Sequence, residues 1–324
     1  MPEAKSDELI DRLLGGDRVA LARAISRVED EGPGAGRVLD ACFARAGTAS
    51  RVGITGPPGA GKSTLVTKIA LEYRRRGRTV GIVAVDPTSP FSGGALLGDR
   101  VRMHELSGDA GVFIRSMATR GSMGGLAVHT AQVCDVLDAA GFERVLIETV
   151  GVGQSELEVA ETADSTAVVL VPESGDGVQA MKAGLMEIAD VFVVNKSDRE
   201  GADRAVQAIR AALHMRAKTS EWDVPVVRTT ASQGEGVPAL VDQLEKHLAW
   251  LAASGTLEQR RRRRVEQHLE GLVRDQLWRR FKGGVSGGEW QAAVERIGGR
   301  RDSPHRLAAE LIGPEKVRTR DRQG

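Results

Sequence analysis

Between residues 50 and 254, short apolar runs alternate with longer stretches in which apolar positions recur every three or four residues. The short runs predict strands near 51–55, 79–85, 111–115, 144–148, 166–171, 190–194 and 225–229. The longer stretches predict helices near 62–76, 123–140, 200–216 and 236–253. Alternation of this kind gives an α/β fold, a mostly parallel sheet with helices on both faces. Residues 1–49 read as a helical prefix: Leu9, Ile10, Leu13 and Leu14, then Val19, Leu21 and Ile25, keep helical spacing. Gly32-Pro33-Gly34 breaks the run, and Val38, Leu39, Cys42 and Phe43 resume it. Residues 255–324 form a third segment, a helical arm. Five consecutive arginines, Arg260 to Arg264, precede a helical stripe of Val265, Leu269, Leu272, Val273, Leu277, Trp278 and Phe281. The pairs Gly283-Gly284 and Gly287-Gly288 mark a hinge or turn, and the chain from about Pro314 reads as polar and frayed.

The run Gly56-Pro57-Pro58-Gly59-Ala60-Gly61-Lys62-Ser63 fits G-x-x-x-x-G-K-[ST], between a strand and a helix. Glycines let backbone N–H groups turn inward around phosphate oxygens, and the N-terminus of the following helix adds positive potential. Lys62 is expected to reach the β- and γ-phosphates, and the Ser63 hydroxyl to ligate Mg²⁺, with Thr64 beside it. The sheet is therefore expected to be that of a P-loop NTPase, spanning residues 50–254.

The base follows from a second motif. Val191-Phe192-Val193-Val194 reads as a buried strand and ends in Asn195-Lys196-Ser197-Asp198, the N-K-x-D guanine reader. A buried Asp198 carboxylate accepts from guanine N1–H and the exocyclic amine; adenine lacks that donor pair. Lys196 can lie along the purine and Asn195 can brace neighbouring loops. A third strand ends in Thr229-Thr230-Ala231-Ser232, where a backbone N–H is expected to meet guanine O6.

Three acids are candidates for metal and water. Val145-Leu146-Ile147 leads into Glu148-Thr149-Val150-Gly151, where GTPases usually carry D-x-x-G. Glu148 has the reach to hold a Mg²⁺-bound water or to position the attacking water. Asp86 ends another strand beside the P-loop, and Asp99 follows in a polar, Gly-rich segment. Position 152 is valine, where Ras-type enzymes carry a water-orienting glutamine, so slow hydrolysis by the isolated chain is expected, faster with a partner.

Composition narrows the remaining classes. The 324 residues are 41% hydrophobic but only 3% aromatic, so the core is aliphatic. A net charge of +1 argues against a global nucleic-acid binder, and no apolar run reaches membrane-spanning length. Two isolated cysteines, Cys42 and Cys134, fit a reducing cytoplasm without structural zinc, and the six histidines show no ligand spacing. The N-terminus lacks a secretory apolar core. Residues 255–324 carry 17 Lys/Arg against 10 Asp/Glu, a net +7. Their arginine run admits a solvated, salt-bridged face, a subunit or partner interface, or nucleic-acid contact.

The residues quoted so far resemble the MeaB/ArgK family of P-loop GTPases over roughly residues 1–310. Asp86-Pro87-Thr88-Ser89-Pro90-Phe91-Ser92-Gly93-Gly94 with Leu97-Gly98-Asp99-Arg100 looks like its first switch. Phe113 to Gly121 looks like its next signature, Glu148 to Glu156 its second switch, and Gly175 to Lys182 its third. The resemblance implies a GTPase chaperone of methylmalonyl-CoA mutase, an adenosylcobalamin enzyme, gating cofactor loading and protecting or reactivating the mutase. It implies a homodimer through the C-terminal arm. It assigns Asp176, Gln179 and Lys182 to coupling nucleotide state to the mutase, with Lys182 also an accelerating cation near phosphate. A kinase of a transport-system binding protein of the arginine/ornithine type is the competing reading. A nickel-type metallochaperone would need a His- or Cys-rich tract, which the chain lacks.

Overall fold

The computed structural model describes residues 2–86, 104–106, 108–118, 125–149, 155–172, 184–215 and 221–313. Three helices, α1 (Pro2–Leu14), α2 (Arg18–Glu29) and α3 (Ala35–Phe43), precede the sheet. Asp17 starts α2 by accepting from the N–H groups of Val19 and Ala20, which otherwise have no helical partner. The strands are β1 (Ser50–Thr55), β2 (Val80–Asp86), β3 (Val112–Ala118), β4 (Arg144–Thr149), β5 (Ser165–Leu170), β6 (Val191–Val194) and β7 (Val226–Arg228). Between them run α4 (Lys62–Arg75), α5 (Gly125–Ala139), α6 (Ser155–Thr162), α7 (Leu185–Ile188) and α8 (Ala202–Met215), with α9 (Val237–Ala253) after β7. All seven expected strands form, as do all four expected helices. The sequence pattern missed α6 and α7. A four-residue helix is too short to show a period, and α6 carries Glu and Thr through much of its length.

The sheet order is β3-β2-β4-β1-β5-β6-β7, with every pairing parallel. The chain fills one side of β1 with β2, β3 and β4, then the other with β5, β6 and β7. The order thus reverses at β1, and ligands of open parallel sheets bind at the carboxyl ends beside such a reversal. Val52, Ile54, Leu65, Ile69 and Leu146 pack one face with Leu244 and Leu248 of α9. Val83, Val145 and Ile147 pack the other with Leu137 of α5 and with Leu13, Ile25 and Val38 of α1–α3. The helical prefix is therefore part of that core.

Residues 1–264 form one compact unit and 265–324 another. In the first unit, the start of α10 (Thr256–Gly284) accounts for the arginine run. Asp164 and Asp190 immediately precede β5 and β6. Arg260 reaches Asp190 at 2.9 and 3.0 Å, and Arg261 and Arg264 reach Asp164 at 3.2 and 3.0 Å. Asp164 is fully buried and also accepts from the backbone N–H of Arg51 at 2.9 Å. Burial works against its charge, but Arg264 and Arg261 more than offset that and hold its carboxyl below the ordinary value. Arg262 and Arg263 are exposed. The run is thus neither wholly solvated nor wholly an interface: the arginines at i, i+1 and i+4 clamp the amino edge of the sheet.

In the second unit, Ser286 and Glu289 form a capping box at the start of α11 (Gly287–Gly298), and Ser303 caps α12 (Pro304–Ile312). The two glycine pairs flank the break between α10 and α11. Trp278 meets Trp290 edge-on at 6.2 Å, with the Lys282 ammonium over the Trp290 ring. Val265, Leu269, Val273 and Leu277 lie four residues apart and are exposed.

His247 of α9 is fully buried, bonded through Nδ1 to Ser165 at 2.8 Å and stacked on Trp250, with Trp222 4.8 Å away. Burial pushes its pKa down to about 4; Asp190 opposes the shift and Arg260 adds to it. The unfolded chain therefore binds the proton more readily, so this group's stabilisation is present above about pH 6.5 and is lost as pH falls toward 4. At pH 5 the loss is about 2 kcal/mol relative to pH 7. Urea midpoints at the two pH values should converge in His247→Gln; an unchanged pH dependence in that variant would show that His247 does not titrate this way.

Candidate functional site

The loop of residues 56–61 leaves β1 at its carboxyl end and delivers Lys62 and Ser63 to the first turn of α4. Gly56 has φ +137°, and a Cβ there would come within 2.1 Å of the Val169 carbonyl oxygen, so only glycine fits. Gly61 caps α4 at φ +87°, with the Asn195 carboxamide 2.6 Å from where a Cβ would stand. Lys62 is buried, and its ammonium donates to the carbonyls of Gly56 and Pro57 at 2.7 and 2.9 Å. That places the cation across the mouth of the loop. Pro58, Gly59 and Thr64 are exposed, and Ala60 is buried under the loop.

β4 lies beside β1 in register, Ile54 opposite Glu148. Glu148 is buried, and its Oε1 accepts from the Ser63 hydroxyl at 2.5 Å. The acid and the P-loop hydroxyl, far apart in sequence, thus share one point at the sheet's carboxyl rim. Asp86 ends β2 on the other side of β4, where Val85 pairs with Thr149. The Asp86 side chain, Asp99, Val152, Asp176, Gln179 and Lys182 lie outside the described residues.

β6 and β7 supply the second half of the site. Asn195 is buried: its Nδ2 donates to Ala60 O at 2.8 Å, and its Oδ1 accepts from Thr229 Oγ1 at 3.0 Å and Ala231 N–H at 3.1 Å. One carboxamide therefore ties the phosphate loop to both neighbouring loops. Lys196 stands at φ +57° and donates to Gly59 O at 2.8 Å, so its stem lies over the loop. Thr230 closes its turn by an isolated antiparallel bridge to Glu235. Thr230 and Ala231 are buried and Ser232 is exposed. Asp198 is exposed as well. It follows Lys196 in a turn that leaves the sheet, so nothing from the protein core covers it. Thr229 was read only as part of a motif; its bond to Asn195 is a tertiary fact, hinted at solely by its place at the end of a strand.

A family model for the "Methylmalonyl Co-A mutase-associated GTPase MeaB" matches residues 21–286. The chain belongs to this MeaB family. A Pyrococcus abyssi protein designated a GTPase is 46% identical over 309 residues, covering 94% of this chain and 95% of its own. GTPase ArgK of Escherichia coli is 36% identical over 283 residues, covering 85% and 86%. The crystal structure of a LAO/AO transport system kinase superposes with a TM-score of 0.72 at 28% identity, covering 98% of this chain and 99% of that one. As a MeaB-family member the chain is a P-loop GTPase that binds guanine nucleotide and hydrolyses GTP.

For a MeaB GTPase built this way, Asn195→Ala severs three hydrogen bonds inside the site and leaves a buried Ala60 carbonyl without its donor. GTP affinity should fall roughly tenfold or more, equivalent to about 1.5–3 kcal/mol. Calorimetric titration of GDP and GTP checks this; affinity within twofold of the parent would mean that the loops hold their places without Asn195.

Proposed function

We propose that this GTPase is a nucleotide-driven chaperone of methylmalonyl-CoA mutase, gating adenosylcobalamin loading and protecting or reactivating the mutase. The observation that carries the reading is the family match over residues 21–286, in a family named for its association with that mutase. The site suits a timed switch. Lys62 neutralises the β–γ bridge region, the loop N–H groups hold the phosphates, and Asn195, Lys196 and Asp198 fix and read the guanine. Water attacks the γ-phosphorus, the bond to the β-phosphate oxygen breaks, and GDP and phosphate leave.

Mg²⁺ fits the residues present. Ser63 and Glu148 offer hard oxygen donors at one half-buried point, and no cluster of three or more His, Cys, Asp or Glu among the described residues would hold a metal alone. That is the pattern of an ion shared between a nucleotide's phosphates and one or two side chains. When bound, the ion would neutralise developing phosphate charge; Ser63 and Glu148 would hold it, with Asp86 and Asp99 as further candidates.

The stripe Val265, Leu269, Val273 and Leu277 supports a homodimer through the arm, since exposed apolar residues at helical spacing are what a second helix covers. No helix among the described residues is long and apolar enough to cross a membrane. We place the protein's work in the cytoplasm, without nucleic-acid partners.

A kinase acting on a transport-system binding protein is the second reading, favoured by the name of the solved structure it resembles. γ-Labelled GTP separates the two. Incubated with the mutase or with a candidate binding protein, this chain should release label as free phosphate; label on protein would overturn the chaperone reading in favour of the kinase. Asp198→Asn should cut guanine preference over other purines by at least tenfold in competition binding. Undiminished preference would remove Asp198 from the base pocket. Co-purification with the mutase in at least one nucleotide state is expected, and its loss in every state would end the chaperone reading.

A further inference from the structure

We infer that Thr55 and Thr149 are a positioning pair for GTP hydrolysis, fixing where Glu148 stands against the P-loop. The inference rests on the assignment of Glu148 and Ser63 to the reaction centre.

The two threonines end adjacent parallel strands, β1 and β4, and their hydroxyls share a hydrogen bond of 3.2 Å. Both residues are fully buried. Their positions are strategic: Thr55 is followed directly by Gly56, the first residue of the phosphate loop, and Thr149 is preceded directly by Glu148. Side chains alternate across a sheet, so Thr149 and Glu148 leave β4 on opposite faces. Glu148 shares its face with Leu146, which packs with Leu65 and Val66 of α4, and its carboxylate meets Ser63 there. Thr149 shares its face with Ile147, and Thr55 with Gly53. At Gly53 the backbone lies so near α6 that a Cβ would come within 2.7 Å of Val159. The end of β4 is therefore tied to the P-loop unit twice, by Glu148–Ser63 on the α4 side and by Thr149–Thr55 on the α6 side.

Packing alone does not call for these hydroxyls. Valine has threonine's β-branched shape and would fill the same space without a polar group to satisfy. What the hydroxyl pair adds is a directional bond between two strand ends where each must hold a reacting group. The β1–β4 ladder ends at Ile54–Glu148; one residue on, Thr55 pairs with Val168 of β5 and Thr149 with Val85 of β2, and the hydroxyl bond joins β1 to β4 directly. A shift of about 1 Å at a reaction centre can cost up to 10²-fold in rate, so a tether at this point acts on hydrolysis even where it contributes little to folding.

The test uses the full-length chain with Thr149→Val, Thr55→Val, the double variant, Thr149→Ser and, in parallel, Glu148→Gln. Single-turnover GTP hydrolysis, GDP affinity with and without Mg²⁺ by calorimetry, and thermal midpoint are measured for each. Either valine variant should slow hydrolysis about tenfold while nucleotide affinity without Mg²⁺ stays within about twofold. The gain in GDP affinity on adding Mg²⁺ should shrink, which a role confined to stability would not produce. Thr149→Ser should restore the rate to within about twofold, and the double variant should be no slower than the worse single, since one bond is lost either way. Parental rates in both valine variants, additive losses, or a rate loss fully matched by loss of folded protein would overturn the pair. If Glu148→Gln hydrolyses GTP normally, the assignment of the reaction centre fails; if it is defective while the valine variants are not, only the positioning role fails.

Discussion

The carboxamide of Asn195 is the interaction on which the site depends. It is buried, and it offers donor and acceptor on one rigid plane, which is why it can hold Ala60 on one side and Thr229 and Ala231 on the other. The phosphate loop follows β1 and the base loops follow β6 and β7, with β5 between. Past the strand ends the distance between these loops is set by Asn195 together with the Lys196 ammonium on Gly59 O and the Ser197 N–H on Thr229 O at 3.0 Å. A nucleotide spanning them needs that distance set before it binds; otherwise its binding free energy would be spent ordering loops. An acid at this position would be a poor substitute: it has no donor for the Ala60 carbonyl and would bring an uncompensated charge.

Charge is divided between the two rims of the sheet. At the amino ends, Asp164 and Asp190 are buried and matched by arginines from α10, so their charge is consumed within the fold. At the carboxyl ends, Lys62, Lys196 and Glu148 bond to backbone carbonyls and a hydroxyl, and Asp198 stays exposed. The same strands carry both ends: β6 begins after Asp190 and ends at Val194, just before Asn195, and β5 begins after Asp164. Clamping their amino ends removes a sliding freedom that would blur the geometry of the loops at the other end.

Much of this was legible in the sequence because the signals are local. The P-loop and N-K-x-D specify their own backbone shapes, and apolar runs of four to six residues between helical stretches mark the strands within a few positions. What escaped was tertiary. Nothing local says that Arg260, Arg261 and Arg264, rather than Arg262 and Arg263, turn inward; that follows from helical phase together with two acids at least 70 residues away. The Glu148–Ser63 contact joins residues 85 apart and exists only because β4 inserts beside β1, a strand order that composition and period do not encode. The cage of His247, Trp222 and Trp250 was invisible for the same reason, since each residue alone reads as an ordinary member of its element.

The arm poses the opposite problem, a helix with a root and an uncovered face. At its start α10 is held by guanidinium pairs that combine charge with several directional bonds, with half-buried Leu257 packed on the core beside them. Beyond Arg264 that source ends, and no apolar residue of α10 is buried. Helices of this length draw most of their stability from a covered apolar stripe rather than from propensity. Val265, Leu269, Val273 and Leu277 provide the stripe at four-residue spacing, which on a 3.6-residue helix drifts slowly around the axis. A partner helix that follows the stripe must therefore cross at an angle instead of running parallel, the geometry of rows four residues apart packing into grooves of the same kind. In the proposed homodimer such a crossing would concentrate contact over a few turns, so pairing would rest on these four side chains and would be sensitive to a single polar replacement among them.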